Sequence, residues 1–316
     1  MLLESLVEMI GYFKEVSAMK FGRYKKWEIS GHIVFSILAL LAIIPFVLMI
    51  ISSFTDEHTV VRNGYSFIPE KFSLAAYQYV FAQWETIGKG YMVTVIVTCV
   101  GTFIGTSISA LLGWTLSRKN LPGRSWLLFL VTFTMMFHGG LTAQYIIYTQ
   151  IFELKNTIFG LILPNLLLNG YFVMTFRNYF ETSIPGTLLE AAKIDGASEV
   201  KTFFKIVLPL SGPIIVTIAL PLALLYWNDW TNGLYYLSHD SKLQSIQTIL
   251  NNINENIKFL QNNNLGTASS DASSAELPST TIRMAMAVVG VVPIICAFPF
   301  LQKWLVRGMT EGAVKE

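Results

Sequence analysis

Charged residues are scarce in this sequence. Asp, Glu, Lys and Arg make up 13% of its 316 residues, whereas hydrophobic residues make up 53%. So apolar a balance excludes an ordinary soluble domain of this length, and the mean hydropathy of +0.52 agrees with that exclusion. We therefore expect a membrane protein.

Cysteines are few, and recognisable catalytic patterns are absent from the sequence. The two cysteines, Cys99 and Cys296, lie inside apolar runs with no partner nearby in sequence, so the sequence predicts neither a disulfide nor a metal framework. No phosphate-binding loop of the G-x-x-x-x-G-K-[ST] type is present, which excludes a nucleotide site of that kind. No catalytic set can be argued from residue spacing, and we expect no catalysis by this chain.

Long uncharged runs dominate what is present. A bilayer core about 30 Å thick needs roughly 20 apolar residues for each helical span. Six runs meet that length, and helices are the expected form because a helix satisfies its own backbone hydrogen bonds in lipid. The sequence thus predicts an all-α membrane protein with six transmembrane helices, at residues 33–54, 90–117, 126–148, 156–176, 210–228 and 284–302.

Basic residues are unevenly divided among the segments between these runs. If the N-terminus lies inside, the inner segments hold 15 of the 22 Lys and Arg, whereas Asp and Glu divide evenly. This bias predicts that both termini lie in the cytoplasm. The resulting organisation is a cytoplasmic segment at 1–30, a transmembrane domain at 31–305 and a cytoplasmic tail at 306–316. The first thirty residues lack the compact apolar core of a cleavable signal peptide.

The predicted outer loop at 238–282 has two different halves. Its first half places apolar residues at alternating steps of three and four, which predicts one apolar face of a helix. Its second half, 261–279, is small and polar and has little to bury. Two interpretations remain open: a helix on the bilayer surface followed by a linker, or a projection that docks a soluble partner. The apolar positions are Leu243, Ile246, Leu250, Ile253, Ile257 and Leu260.

The predicted inner loop at 185–209 is unusually rich in charge for this chain. Pro185 suits the first turn of a short amphipathic helix, Gly196 permits a break, and Ser198 can cap a second helix. The pattern predicts a helix–turn–helix with small residues at its surface. Such a shape fits a cleft on a cytoplasmic partner, although Ala-rich amphipathic inner loops also occur as purely structural connectors.

Resemblance to a known family separates these two interpretations. The stretch at 190–209, "EAAKIDGASEVKTFFKIVLP", resembles the EAA loop of binding-protein-dependent ABC importer permeases. Further stretches resemble the carbohydrate-uptake branch, in particular the maltose-type second permease and the lipoprotein-linked oligosaccharide or polysaccharide permeases. These stretches are "FSLAAYQYVF", "FHGGLTAQYIIYTQIFELKNTIFGLILPN", "RNYFETSIP" and "PFLQKWLVRGMTEGAVKE". Gly186, Thr187 and His138 depart from the usual family pattern.

The resemblance implies a type I ABC importer permease fold in a bacterial cytoplasmic (inner) membrane. The implied partners are a second permease subunit, two cytoplasmic ATPase subunits, an extracytoplasmic substrate-binding protein and the lipid bilayer, with no nucleic acid. It further implies that this chain binds no cofactor, because ATP and Mg would be bound by the ATPase subunits. The tail at 306–316 is similar to a permease tail that reaches the ATPase dimer interface, and the loop at 238–282 corresponds to a segment that probes the binding protein.

Residues 185–209, called the coupling segment below, would by this resemblance fit a groove on an ATPase subunit. Glu190 and Asp195 would make polar contacts there. Small side chains would allow close packing, and a Leu-Pro pair would close the motif. These remaining positions are Ala191, Ala192, Gly196, Ala197, Leu208 and Pro209.

Polar and aromatic residues near the end of the fifth run are candidates for the substrate path. Sugar sites combine aromatic faces with amide and carboxylate groups, and polar groups at membrane depth are functional candidates because burying them in lipid is costly. An interfacial aromatic belt is the alternative interpretation. The candidates are Tyr226, Trp227, Asn228, Asp229 and Trp230, with His138, Gln144, Asn165 and Asn169 as weaker ones.

A stand-alone, ion-coupled secondary sugar carrier is the rival hypothesis. Such carriers predict several buried ionisable residues and paired broken helices, whereas the apolar runs here hold almost no charge. An intramembrane hydrolase would need a catalytic pair at membrane depth, and none is found. The importer permease is therefore the leading prediction, with an oligosaccharide as the most specific substrate class that the sequence supports.

Overall fold

The structure, a computed structural model, describes residues 29–264 and 280–296, apart from the side chains of 257 and 260–264. Within those ranges the chain is helical, with one isolated antiparallel bridge between Thr55 and Phe72. The predicted tail at 306–316, nearly all of the N-terminal segment and the polar stretch 265–279 lie outside the described residues. The described residues form two compact units, 29–79 with 280–288 and 80–264 with 289–296.

Each predicted apolar run contains a helix or an interrupted pair of helices, and further helices lie between the runs. They are α1 (Ile29–Ser53), α2 (Glu57–Asn63), α3 (Ala75–Ala82), α4 (Trp84–Ser117), α5 (Arg124–Met136), α6 (Leu141–Ile146), α7 (Phe159–Ile162), α8 (Gly170–Ser183), α9 (Gly186–Ile194), α10 (Glu199–Thr202), α11 (Leu208–Leu210), α12 (Gly212–Trp227), α13 (Thr231–Tyr236), α14 (Ile246–Asn264) and α15 (Thr280–Cys296). Two π-helical turns, Ile147–Ile151 and Phe203–Val207, continue α6 and α10.

Two of the described helices are long and apolar enough to cross a membrane alone. They are α1, with 25 residues and a mean hydropathy of 3.0, and α4, with 34 residues and a mean hydropathy of 2.0. Two further pairs reach that length only across a bend: 114° between α5 and the α6 segment, and 80° between the α10–α11 segment and α12. The count in the described residues is thus two, or four with the bent pairs, and six spans stay a prediction.

The predicted span at 156–176 is not one continuous helix. The chain leaves α7 at Ile162, turns through 163–169 and begins α8 at Gly170. The reason is local backbone chemistry, because Asn165 has a left-handed φ of 61° and the Asn169 side chain accepts a hydrogen bond from Tyr171 N as an N-cap. Hydropathy alone does not detect such an interruption.

Helix α4 is the central helix of the larger unit, and its glycines allow α8, α12 and the turn at 163–169 to approach it closely. A Cβ added at Gly101 would collide with the Tyr226 ring, and one at Gly113 would lie 2.6 Å from Phe176 Cβ on α8. Likewise, a Cβ at Gly105 would lie 2.9 Å from the Leu167 carbonyl oxygen. Small residues at helix contacts are typical of membrane bundles, where close backbone approach stabilises the packing.

The predicted amphipathic helix of the outer loop is confirmed as α14. Its apolar face is used on the protein itself, since Ile246 is fully buried and Ile249 is 5% exposed. Ile246 N donates a hydrogen bond of 2.8 Å to Thr94 Oγ1, and that hydroxyl donates to Gly90 O at 2.8 Å. The first turn of α14 is therefore anchored on α4.

The smaller unit is held together by an aromatic cluster and a helix cap. The Phe54 ring stacks between Phe72 and Tyr77, with ring centroids at 5.5 and 4.7 Å. The Glu57 carboxylate accepts hydrogen bonds from the backbone amides of Thr280 and Thr281 at 2.9 and 2.8 Å. Because these amides begin α15, a side chain from α2 satisfies the N-terminus of another helix.

Candidate coupling segment and substrate path

The coupling segment folds as the sequence predicts. Helix α9 follows Pro185 and ends in a left-handed turn at Gly196, with φ 73°. Ala197 N donates to Ala192 O at 2.9 Å and Gly196 N donates to Lys193 O at 3.1 Å, the two bonds of a Schellman turn. Ser198 Oγ then accepts from Lys201 N and begins α10. The predicted helix–turn–helix is confirmed.

The turn presents a solvent-exposed surface. Glu190, Ala191, Asp195 and Gly196 are exposed, and Ala197 is half-buried. An added Cβ at Gly196 would have no atom within 4 Å. Two large apolar side chains flank the turn in the open, Ile194 at 86% and Val200 at 67% exposure. Small, polar and exposed apolar residues therefore share one surface.

The remaining coupling residues differ in exposure. Ala192 is only 6% exposed, so its small side chain serves packing inside the segment. Leu208 is half-buried and Pro209 is exposed. These two residues belong to α11, the last turn before the chain bends into α12.

The second half of the segment is anchored to α4 and α8 through buried aromatic rings. Phe203 is 3% exposed, and its ring centroid lies 6.0 Å from Trp114 on α4 and 6.4 Å from Phe180 on α8. Phe203 also starts the π-helical turn, a feature often found at functional sites. The segment thus has one exposed surface and one surface fixed to two long helices.

A groove of about 1010 Å³ separates α9 and α10 from the loop that follows α4. Arg118 lies in its wall, with its guanidinium 4.7 Å from the centre of the Trp114 ring and 3.0 Å from a Glu199 carboxylate oxygen. Lys119 and Lys193 also line the groove. Both charge signs are therefore present beside the coupling segment.

Most of the residues predicted for the substrate path at 226–230 have partners within the protein. The Tyr226 hydroxyl donates to Ile162 O at 2.9 Å, and its side chain is 2% exposed. Trp227 Nε1 donates to Gly290 O at 3.4 Å. The indole and phenol groups of these two residues thus hold α12 against neighbouring elements.

The polar members of that cluster behave as helix caps. Asp229 Oδ1 accepts hydrogen bonds from the backbone amides of Thr231 and Asn232 at 3.0 and 3.2 Å. Asn228 Nδ2 donates to Leu224 O at 2.9 Å, one turn back along α12. Asn228 remains exposed, and Trp230 is 42% exposed. Their placement in a substrate path stays a prediction.

The weaker candidates lie at or near two breaks in the helices. His138 is exposed in the segment between α5 and α6, where Gly140 has a φ of 82°, and Gln144 follows on α6. Asn165 is exposed in the turn between α7 and α8. Sequence reasoning missed this second break, for which a Pro-Asn pair at 164–165 was the available signal.

The two breaks are close together in the fold. A Cβ added at Gly170, the first residue of α8, would lie 2.5 Å from Met135 Cγ near the end of α5. The second break is fixed from another side as well, because Asn232 Nδ2 donates to Pro164 O at 3.0 Å. The end of α5 and the start of α8, each next to a break, therefore lie against one another.

No group of three His, Cys, Asp or Glu in the described ranges is arranged to hold a metal ion. Both cysteines are exposed free thiols. The candidate side chains at or near the breaks are carboxamides and an imidazole, which can form hydrogen bonds with a polar solute.

Comparison with known proteins agrees with the resemblance found in the sequence. A family model described as "binding-protein-dependent transport system inner membrane component" matches residues 105–311. The polygalacturonan/rhamnogalacturonan transport system permease protein YtcP of Bacillus subtilis (strain 168) is 38% identical, over 88% of this chain and 94% of its own length. Protein LplC of the same organism is 34% identical, over 87% of this chain and 90% of its own length.

A solved structure shares the architecture. It is described as a bacterial ABC transporter involved in the import of the acidic polysaccharide alginate, and one of its chains superimposes with a TM-score of 0.71 at 25% identity. The match covers 88% of this chain and 96% of that chain. The chain therefore belongs to the inner-membrane permease components of binding-protein-dependent ABC importers.

Proposed function

We propose that this chain forms half of the translocation path of an ATP-driven importer of oligosaccharides. In this assembly it spans the inner membrane six times, with both termini in the cytoplasm. A second permease completes the path, two cytoplasmic ATPase subunits bind ATP and Mg, and an extracytoplasmic binding protein delivers the solute. Family membership and the names of the relatives support this proposal.

The substrate that we propose is an oligosaccharide containing uronate residues. One relative is named for polygalacturonan and rhamnogalacturonan, and the solved structure is described for alginate, an acidic polysaccharide. The carboxamide and imidazole groups of Gln144, Asn165 and His138 can donate hydrogen bonds to a carboxylate as well as to sugar hydroxyls. Neutral oligosaccharides are the comparison substrates in the test below.

The coupling segment is the proposed contact with the ATPase, and its geometry is the observation that carries the proposal. Glu190 and Asp195 are exposed for polar contacts, and Gly196 lies at a turn with open space around it. Phe203 fixes the same segment to α4 and α8. A segment with one exposed surface and another surface anchored to α4 and α8 can transmit a nucleotide-driven displacement of the ATPase into the helix bundle.

The two helix breaks are the proposed substrate path. Helix α5, with 13 residues, and α8, with 14 residues, are each about 20 Å long at about 1.5 Å per residue. With the ends nearest the coupling segment at the membrane surface, as proposed, both breaks would fall inside a hydrocarbon core about 30 Å thick. Irregular backbone at that depth is tolerated where it is buried in protein or lines a water-filled cavity, and His138 and Asn165 are exposed.

Purification of the tagged chain from its native membrane in mild detergent tests the proposal. We expect a second permease and an ATPase subunit to co-purify, and the eluate to hydrolyse ATP faster when the glycan-loaded binding protein is added. Oligogalacturonate and a neutral maltooligosaccharide of equal length serve as the two ligands. Recovery of the folded chain alone, with ion-dependent sugar uptake in liposomes, would instead support the secondary carrier.

A further inference from the structure

A compact ion-pair cluster joins three helices beside the coupling segment. Glu181 on α8 accepts from Arg124 Nη2 at 2.5 Å and from Arg177 Nη2 at 3.1 and 3.0 Å through its two carboxylate oxygens. Arg124 Nε also donates to Leu116 O near the end of α4, at 2.8 Å. All three charged side chains are 20–21% exposed, so solvent screens the cluster only partly.

The positions of these charges do not stabilise the individual helices α5 and α8. Arg124 is the first residue of α5, where the helix dipole disfavours a cation. Arg177 precedes Glu181 by four residues, the weaker order for an ion pair within a helix. The three side chains instead link α5 to α8, since Glu181 and Arg124 are 57 residues apart in sequence.

The cluster adjoins the anchor of the coupling segment. Phe180, the neighbour of Glu181, is 3% exposed and its ring meets Trp114 and Phe203 at centroid distances of 5.8 and 6.4 Å. At the same level, α4 and α8 approach closely at Gly113, where an added Cβ would lie 3.0 Å from Arg177 N. A displacement of the coupling segment therefore reaches α4 and α8 through Phe203, and the Arg124–Glu181 pair links α8 to the start of α5.

We propose that Glu181 and Arg124 are positioning residues that make the adjoining ends of α4, α5 and α8 move as one body with the coupling segment. Helix α5 ends at the first break of the proposed path, so this link connects the ATPase contact to the substrate path. The inference rests on the proposed function. It assigns neither residue a contact with substrate or nucleotide.

The test uses the complete transporter in liposomes, with the binding protein added, and compares four variants of this chain. Glu181→Gln keeps a hydrogen-bond acceptor but removes the charge shared by two arginines. Arg124→Gln cuts the link to α5 and leaves the pair within α8 intact, and Arg124→Lys restores the charge. Glu85→Gln is the matched control, because Glu85 forms an exposed ion pair with Lys89 four residues away.

We expect Glu181→Gln and Arg124→Gln complexes to assemble and to keep their basal ATP hydrolysis. Stimulation of hydrolysis by the loaded binding protein should fall about fivefold or more, the usual range of a coupling between sites. More ATP should be hydrolysed per glycan imported. Arg124→Lys should recover part of the stimulation, and Glu85→Gln should match the unaltered transporter.

Two outcomes would overturn the inference. Either both glutamine variants assemble and are stimulated as strongly as the unaltered transporter, or neither assembles, which would make the cluster an element of folding only. If Glu181→Gln alone fails to assemble, stimulation of the Arg124→Gln transporter by the loaded binding protein tests the inference instead. An unaltered transporter that the loaded binding protein does not stimulate would refute the proposed function itself, which separates the two failures.

Discussion

Substitutions at Gly196 separate the shape of the coupling turn from its proposed contact with an ATPase. The residue has a φ of 73°, and a Cβ added there would have no atom within 4 Å. Gly196→Ala therefore introduces no collision and costs only the left-handed conformation, about 1–2 kcal/mol. Gly196→Asn costs less because Asn populates this conformation more readily. Gly196→Arg carries the backbone cost and adds a long side chain on the exposed surface.

These energies translate into measurable affinities. If docking requires the native turn, a cost of about 1–2 kcal/mol weakens ATPase binding by roughly 5- to 30-fold in Gly196→Ala. Gly196→Asn should be weakened less, and Gly196→Arg more than Gly196→Ala. The assay is titration of the purified ATPase onto the detergent-solubilised permease pair. Gly186→Ala is the matched control, because a Cβ added at Gly186 would also have no atom within 4 Å, whereas Gly186 lacks the left-handed φ.

Two results would refute this reasoning. Equal binding by the arginine and alanine variants would show that no partner surface approaches Gly196. Unchanged binding by Gly196→Ala would show that the Schellman turn is not needed for docking. Circular dichroism of each variant, unchanged from the original protein, verifies that the comparison concerns docking rather than unfolding.

Substitutions at three further positions test the packing described above. Thr94→Val should lower stability by about 1–3 kcal/mol, because it leaves the buried amide of Ile246 without its acceptor; an unchanged melting temperature would contradict this. Tyr226→Phe removes the hydrogen bond to Ile162 O and should cost about 1 kcal/mol while uptake persists, and loss of uptake at normal stability would favour a path role. Asp229→Asn keeps the oxygen that caps α13, so it should retain uptake, whereas Asp229→Ala removes the cap and should lower the free energy of unfolding by about 1 kcal/mol. Abolished uptake in a stable Asp229→Asn protein would support the predicted role of Asp229 in the substrate path.

Local sequence chemistry predicted the coupling segment well. Pro185, Gly196 and Ser198 act within a few residues of their own positions, as a helix start, a left-handed turn and an N-cap. The apolar spacing that begins at Leu243 likewise predicted α14, which starts three residues later at Ile246. Such features need no knowledge of distant contacts, since backbone geometry and helical periodicity determine them.

Hydropathy misassigned two features that local backbone chemistry determines, and one tertiary contact was not accessible from the sequence. Hydropathy treated 156–176 as one span, whereas a left-handed Asn165 interrupts it. Asp229 looked like a path residue because it ends an apolar run, yet its carboxylate caps the following helix. The Arg124–Glu181 pair joins residues from separate predicted segments, and no local pattern indicates it.

Glycan uptake by the reconstituted transporter tests the central claim most directly. Liposomes containing both permeases and the ATPase subunits would receive the binding protein and labelled oligogalacturonate, with ATP inside or absent. The account predicts uptake that requires ATP and the binding protein and that Gly196→Arg in this chain abolishes. Uptake that proceeds without the ATPase subunits and follows an imposed ion gradient would contradict it.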